Sequence, residues 1–146
     1  TFMDLLMLQI AARASVRHGI PVSAMMTFTE VGKTMMGNSV QDFVEGMREF
    51  PLTAVGLNCS LGPERAVPVI AAFRQYTDLP LMFKPNAGKP ISQGDGTTVE
   101  YTADIFVEDS LPALDADVTY IGGCCGSDAS YIRALRGRLR RLGYGV

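Results

Sequence analysis

Four short apolar runs, each followed by a segment with helical spacing, limit what this chain can fold into more than any other feature. They fall at 21–29, 53–59, 80–85 and 118–123. Runs of that length suit buried strands and are too short for amphipathic helices. Between them the spacing predicts helices: one from an Asn38 or Ser39 cap to about Glu49, with Asp42 supporting its first turn, and one from Pro63 to about Tyr76. A weaker helix is expected over 103–110, and a last one runs from a Ser127 or Asp128 cap to Gly143. A leading helix over 2–18 stops at Gly19. A Gly- and Thr-rich loop is expected over 87–98, with Gly94-Asp95-Gly96 as a mobile turn rather than a phosphate cradle. Repeated strand–helix units predict a parallel α/β arrangement with right-handed crossovers.

In such folds ligand sites form from the loops at the C-terminal ends of the strands. Here those ends carry Thr27-Phe28-Thr29, Asn58-Cys59, Lys84-Pro85-Asn86 and Gly122-Gly123-Cys124-Cys125-Gly126. The chain has three cysteines, and two of them are adjacent. Neighbouring cysteines rarely bond to each other, and an odd count leaves one unpaired. Three thiolates brought together suit a soft divalent metal with one position open, the pattern of catalytic zinc. Small cysteines packed in a core are the competing reading, and the residues alone leave both open. A redox dithiol at Cys124-Cys125 lacks the usual two-residue spacing.

Composition narrows the function classes. Fifteen acidic residues against thirteen basic ones, net charge −2, argue against a nucleic-acid surface. The arginines of 133–141 alternate with apolar residues as on the solvated face of a helix. No apolar run approaches membrane-spanning length and no signal-peptide layout is visible, so a reducing cytoplasm is expected. His18, before Gly19, reads as a surface residue near helix carbonyls. Lys84 suits either steering a carboxylate or lying along the rim. Met25, Met26, Met35 and Met36 read as packing.

Three motifs, in order, resemble the homocysteine S-methyltransferase family, and most closely the homocysteine-binding module of cobalamin-dependent methionine synthases. They are Gly56-Leu57-Asn58-Cys59 with Leu61-Gly62-Pro63, then Pro85-Asn86-Ala87-Gly88, then Gly122-Gly123-Cys124-Cys125-Gly126. A looser one is Thr27-Phe28-Thr29 with Gly32-Lys33-Thr34 and Gly37. The resemblance implies half of a (β/α)8 TIM barrel, its C-terminal half, spanning residues 1–146 as one domain. Four strands cannot close a barrel, so a missing half or a second copy is expected to complete it. It implies zinc on Cys59, Cys124 and Cys125, with the homocysteine thiol in the fourth position. Asn86 would stand in when substrate is absent, while Thr27, Phe28 and Asn58 line the substrate pocket. The implied reaction transfers a methyl group to homocysteine, giving methionine, with methylcobalamin on a corrinoid protein as the favoured donor.

The chemistry suits those residues. A free thiol is mostly protonated at neutral pH, and metal coordination removes its proton without a base. Three sulfur ligands keep a fourth sulfur electron-rich, which favours alkyl transfer over activation of water. Glycines around Cys124 and Cys125 let adjacent side chains turn toward one ion. The alternative is a zinc-binding structural or regulatory half-barrel with no turnover of its own.

Overall fold

The computed structural model describes residues 1–88, 90–93 and 96–145, with the backbone alone at 90–93 and 96–99. Among the described residues there are five α-helices and six strands, and all but β4 and β5 follow the expected order. Helix α1 (Leu5–Val16) precedes β1 (Val22–Met26), α2 (Val40–Met47), β2 (Leu52–Asn58) and α3 (Pro63–Ala72). Then come β3 (Leu81–Lys84), a hairpin of β4 (Pro90–Gln93) and β5 (Gly96–Val99), α4 (Ala103–Ser110), β6 (Val118–Ile121) and α5 (Ala129–Arg141). Four strands form one parallel sheet in the order β1-β2-β3-β6. An isolated parallel bridge between Phe2 and Met26 continues the sheet beyond β1. The expected parallel α/β architecture is therefore present.

Local chemistry sets the helix starts. Ser39 accepts from the Asp42 N–H while Asp42 accepts from the Ser39 N–H, a reciprocal cap for α2. Asp4, Thr102 and Asp128 cap α1, α4 and α5 with side-chain oxygens. Pro63 opens α3, where its missing N–H costs nothing.

Strand alternation gives the sheet two unlike faces. On one face Met26, Phe28, Leu57, Leu81 and Phe83 meet the helices and are buried. Phe28, Phe43 and Phe73 form a mutual cluster, Phe73 edge-on to the other two, with ring centroids 5.7–6.2 Å apart. On the other face lies the paired row Met25–Gly56–Met82–Tyr120, which no helix covers among the described residues, and Tyr120 is 49 % exposed.

One expectation changes. The segment expected as a Gly- and Thr-rich loop is an antiparallel hairpin, Pro90 facing Val99 and Gln93 facing Gly96. β-Branched Ile91, Thr97, Thr98 and Val99 favour extended backbone over loop. Gly94 and Asp95, expected in a mobile turn, lie outside the described residues. The helix over 103–110 runs on into a 3-10 segment, Leu111–Ala116, ended by Asp117 in the left-handed region.

Candidate metal centre

Three loops at the C-terminal ends of β2, β3 and β6 build the site, and backbone hydrogen bonds tie each to its neighbour. The Cys59 N–H donates to the Lys84 carbonyl at 3.0 Å and the Asn86 N–H to the Leu61 carbonyl at 2.8 Å, joining the first loop to the second. The Cys124 N–H donates to the Pro85 carbonyl and the Ala87 N–H to the Cys125 carbonyl, both at 2.8 Å, joining the second to the third. The chain turns sharply where Cys59 and Ser60 both take the left-handed region, with φ of 63° and 61°. Non-glycine residues there cost of order 1 kcal/mol each, so the flanking hydrogen bonds hold the turn.

The result is a thiol cluster. Sγ atoms of Cys59, Cys124 and Cys125 all lie within 4.8 Å of one another, and those of Cys59 and Cys125 are 3.5 Å apart. All three cysteines are free. Among the described residues no other group of His, Cys, Asp or Glu gathers in this way. Cysteines 66 positions apart have thus been brought together by parallel strand pairing. Asn86 joins them, its Oδ1 accepting from the Cys125 N–H at 3.1 Å.

The electrostatics are those of crowded sulfur. Burial works to raise the Cys59 thiol, but the Ser60 N–H, the Cys125 and Cys124 thiols and Asn86 outweigh it, so Cys59 sits below its ordinary value. Cys125 is pushed up to about 11, first by its contact with Cys59 and then by the charges of Cys124 and Cys59. One negative sulfur is favoured there and a second is resisted. A divalent cation relieves that repulsion, and three soft donors on one side of it leave room for a fourth ligand. The donor set therefore fits a thiophilic ion such as zinc.

The other expected site residues divide. Thr27 is 7 % exposed and its Oγ1 has no hydrogen-bond partner; the buried Asn58 Oδ1 likewise has none, while its Nδ2 donates to Thr1 Oγ1 at 3.3 Å. By alternation both belong to the helix-free face, beside Lys84, which pairs with Asn58 and approaches Gly122. Phe28 is not brought to the cluster. Its ring is 2 % exposed and packed on Phe43 and Phe73, because neighbours along an extended segment point to opposite faces.

Sequence reasoning missed the residues that support the loops. Ser127 donates its Oγ–H to the Cys124 carbonyl at 2.6 Å and occupies the space a side chain on Gly123 would need. Tyr101 stands against Gly62 and Gly88. The available signal was the glycines: positions without Cβ beside a site mark where another side chain must come close.

Comparison with known proteins agrees with this geometry. The chain is 29% identical over 141 residues to methionine synthase of Mycobacterium tuberculosis (strain ATCC 25618 / H37Rv), covering 91% of the chain and 12% of that protein. To methionine synthase of Mycobacterium leprae (strain TN) it is 27% identical over 154 residues, covering 100% and 13%. It thus spans only 12% to 13% of the length of these curated relatives. Among solved structures, the oxidized form of the Escherichia coli homocysteine methyltransferase MmuM superimposes with a TM-score of 0.72 at 22% identity, over 94% of this chain and 43% of that one. The metallated form of MmuM gives 0.65 at 24% identity, over 90% and 40%. Coverage of less than half of the longer chain accords with four parallel strands forming half of a TIM barrel. The family model described as homocysteine S-methyltransferase matches residues 1–139, and on that match the chain belongs to the homocysteine S-methyltransferase family.

Proposed function

We propose that residues 1–146 are the C-terminal half of a homocysteine-binding barrel, and that this half presents homocysteine for methylation to methionine. The observation that carries the reading is the gathering of three cysteine sulfurs within 4.8 Å at the rim where the strands end. Cys59, Cys124 and Cys125 would hold zinc, leaving one position for the homocysteine thiol. Bound there, zinc would supply a lowered pKa for that thiol and keep its sulfur electron-rich.

The chain's own residues position and polarise. Asn86 fixes the Cys125 backbone and so the aim of both vicinal side chains. The unpartnered oxygens of Thr27 and Asn58 offer hydrogen bonds to a polar substrate. In the overall reaction the homocysteine sulfur loses its proton to solvent and gains the methyl carbon, and the donor leaves with the electron pair of the broken bond. The motif resemblance, with methionine synthases among the relatives, favours a methylated corrinoid as donor. Three free thiols suit a reducing compartment, the cytoplasm.

The test is metal content followed by substrate. The purified protein should hold one zinc, and adding homocysteine should release a proton and change the spectrum of a cobalt-substituted sample. No metal uptake, or no response to homocysteine at a loaded site, sinks the reading. One observation favours a second reading, a zinc-binding half-barrel without turnover of its own: among the described residues nothing layers over the face of the sheet bearing Met25, Met82 and Tyr120. Turnover would then appear only when a complementary half or a second copy is present.

A further inference from the structure

We propose that Tyr101 is a positioning residue for the thiol site: its ring sets the spacing of the loops bearing Cys59 and Asn86, and its backbone links them to the loop bearing Cys124-Cys125. This rests on the metal-site reading above. Tyr101 is 8 % exposed and follows the hairpin directly. Its ring fills the space over two glycines, each a few residues from a site residue. A methyl group on Gly62, three positions after Cys59, would lie 2.5 Å from Tyr101 Cε2. One on Gly88, two after Asn86, would lie 2.5 Å from Cδ2. Both contacts are shorter than atoms tolerate, so the ring and the two loop backbones define each other's position.

The backbone of Tyr101 closes the circuit to the third loop. Its N–H donates to the Ala87 carbonyl at 3.1 Å, and the Ala87 N–H donates to the Cys125 carbonyl at 2.8 Å. Its own carbonyl accepts the hydroxyl of Tyr131 at 2.6 Å, from the helix that begins just beyond Cys125. Tyr131 also stacks edge-on against Phe106 of α4, with centroids 5.5 Å apart, which anchors the far side. Tyr101 touches none of the three sulfurs through any of these contacts. It acts through Gly62, Gly88 and Ala87, setting where the loops stand.

The test compares Tyr101→Ala, Tyr101→Phe, Tyr131→Phe and Gly62→Ala in the intact protein. Two ligands are read at a temperature where circular dichroism shows each variant folded. Zinc affinity is measured by chelator competition, and phenylarsine oxide uptake, read with Cys124→Ser added so that only Cys59 and Cys125 remain to bridge, reports thiol proximity across the loops without a metal. Tyr101→Ala is expected to weaken zinc by about 10-fold or more, the scale of losing an outer partner of a metal ligand. It should slow arsenical uptake in parallel, while Tyr101→Phe stays near wild type because the ring remains. Gly62→Ala should damage both readouts with Tyr101 present and do little in the Tyr101→Ala background, a non-additive cycle. If Tyr101→Ala does not fold, Tyr131→Phe and Gly62→Ala carry the same comparison. Wild-type zinc and arsenical binding in folded Tyr101→Ala, or in both substitutes, overturns the proposal. A wild-type protein that takes the arsenical but not zinc defeats the metal reading alone, and the arsenical arm still decides on Tyr101. A wild-type protein that takes neither overturns both.

Discussion

The two faces of the central sheet are made from the same strands and differ in almost every respect. Toward the helices, Phe28, Leu57, Leu81 and Phe83 are closed over, and the three clustered phenylalanines occupy the middle of the layer. Toward the other side, Ser23 and Tyr120 are exposed, Met25 and Met82 are partly covered, and Gly56 sits between Met25 and Met82 in the paired row. One side is a finished core. The other is half of one, and the thiol cluster lies at the rim, where the strands of this half-built layer end. The contrast teaches that this chain's own core positions the sulfurs, while the described residues leave the sheet face beside them open.

Substitutions can break that comparison. Phe83→Ala, on the finished face and fully buried, should destabilise by about 3–5 kcal/mol in a denaturant titration. Met82→Ala, its neighbour on the open face, should cost under about 1 kcal/mol in the isolated chain. Near-equal costs would mean the open face is already covered in solution, and the oligomeric mass would then show by what.

Serine in place of Cys59, Cys124 or Cys125 should weaken zinc by more than the roughly 10–100-fold typical of changes to a ligand's outer partners, with little loss of folding. The pH dependence has a fixed sign. Cys125 at about 11 is protonated at neutral pH, and an ion binds the thiolate, so uptake must expel that proton. Affinity should therefore rise with pH from 6 to 9, by up to about tenfold per unit for each proton displaced, and calorimetry in two buffers of different ionisation enthalpy counts the protons. Flat affinity across that range would mean that these sulfurs are not the ligands.

Gly123→Ala sharpens the comparison at the rim itself. The added methyl would stand near Ser127 Oγ, which already donates to the Cys124 carbonyl, so the cost should be about 1–3 kcal/mol. Pairing it with Ser127→Ala should return part of that cost. The smallest effect is expected at the partly exposed Glu108–Arg138 ion pair on α4 and α5. Arg138 holds the Glu108 carboxyl below its ordinary value, so the contribution is present at neutral pH and lost as pH falls through the acid range. Glu108→Gln should shift the denaturation midpoint slightly at pH 7 and not at pH 3.

Much of the fold was legible because the relevant signals are local. Ser39 and Asp42 cap each other three residues apart, Pro63 opens its helix, and the apolar runs that became β1, β2, β3 and β6 needed no distant partner to be recognised. The hairpin was not legible, since the threonines that with the glycines suggested a loop are also β-branched and suit a two-stranded pairing. Phe28 was misplaced for a related reason. A motif such as Thr27-Phe28-Thr29 does not say which side chain faces which way until the strand's partner fixes its pleat.

The sequence by itself determined the order of the four parallel strands and five helices, the starts of α2, α3 and α5, and the presence of three thiols at strand ends, because propensity, capping and periodicity act over a few residues. Only the tertiary structure decided that Cys59 stands 3.5 Å from Cys125, that Phe28 belongs to the core, and that Tyr101 wedges two glycines. Those are distances through space between segments far apart in the chain. They follow from strand register and close packing, which no local pattern encodes.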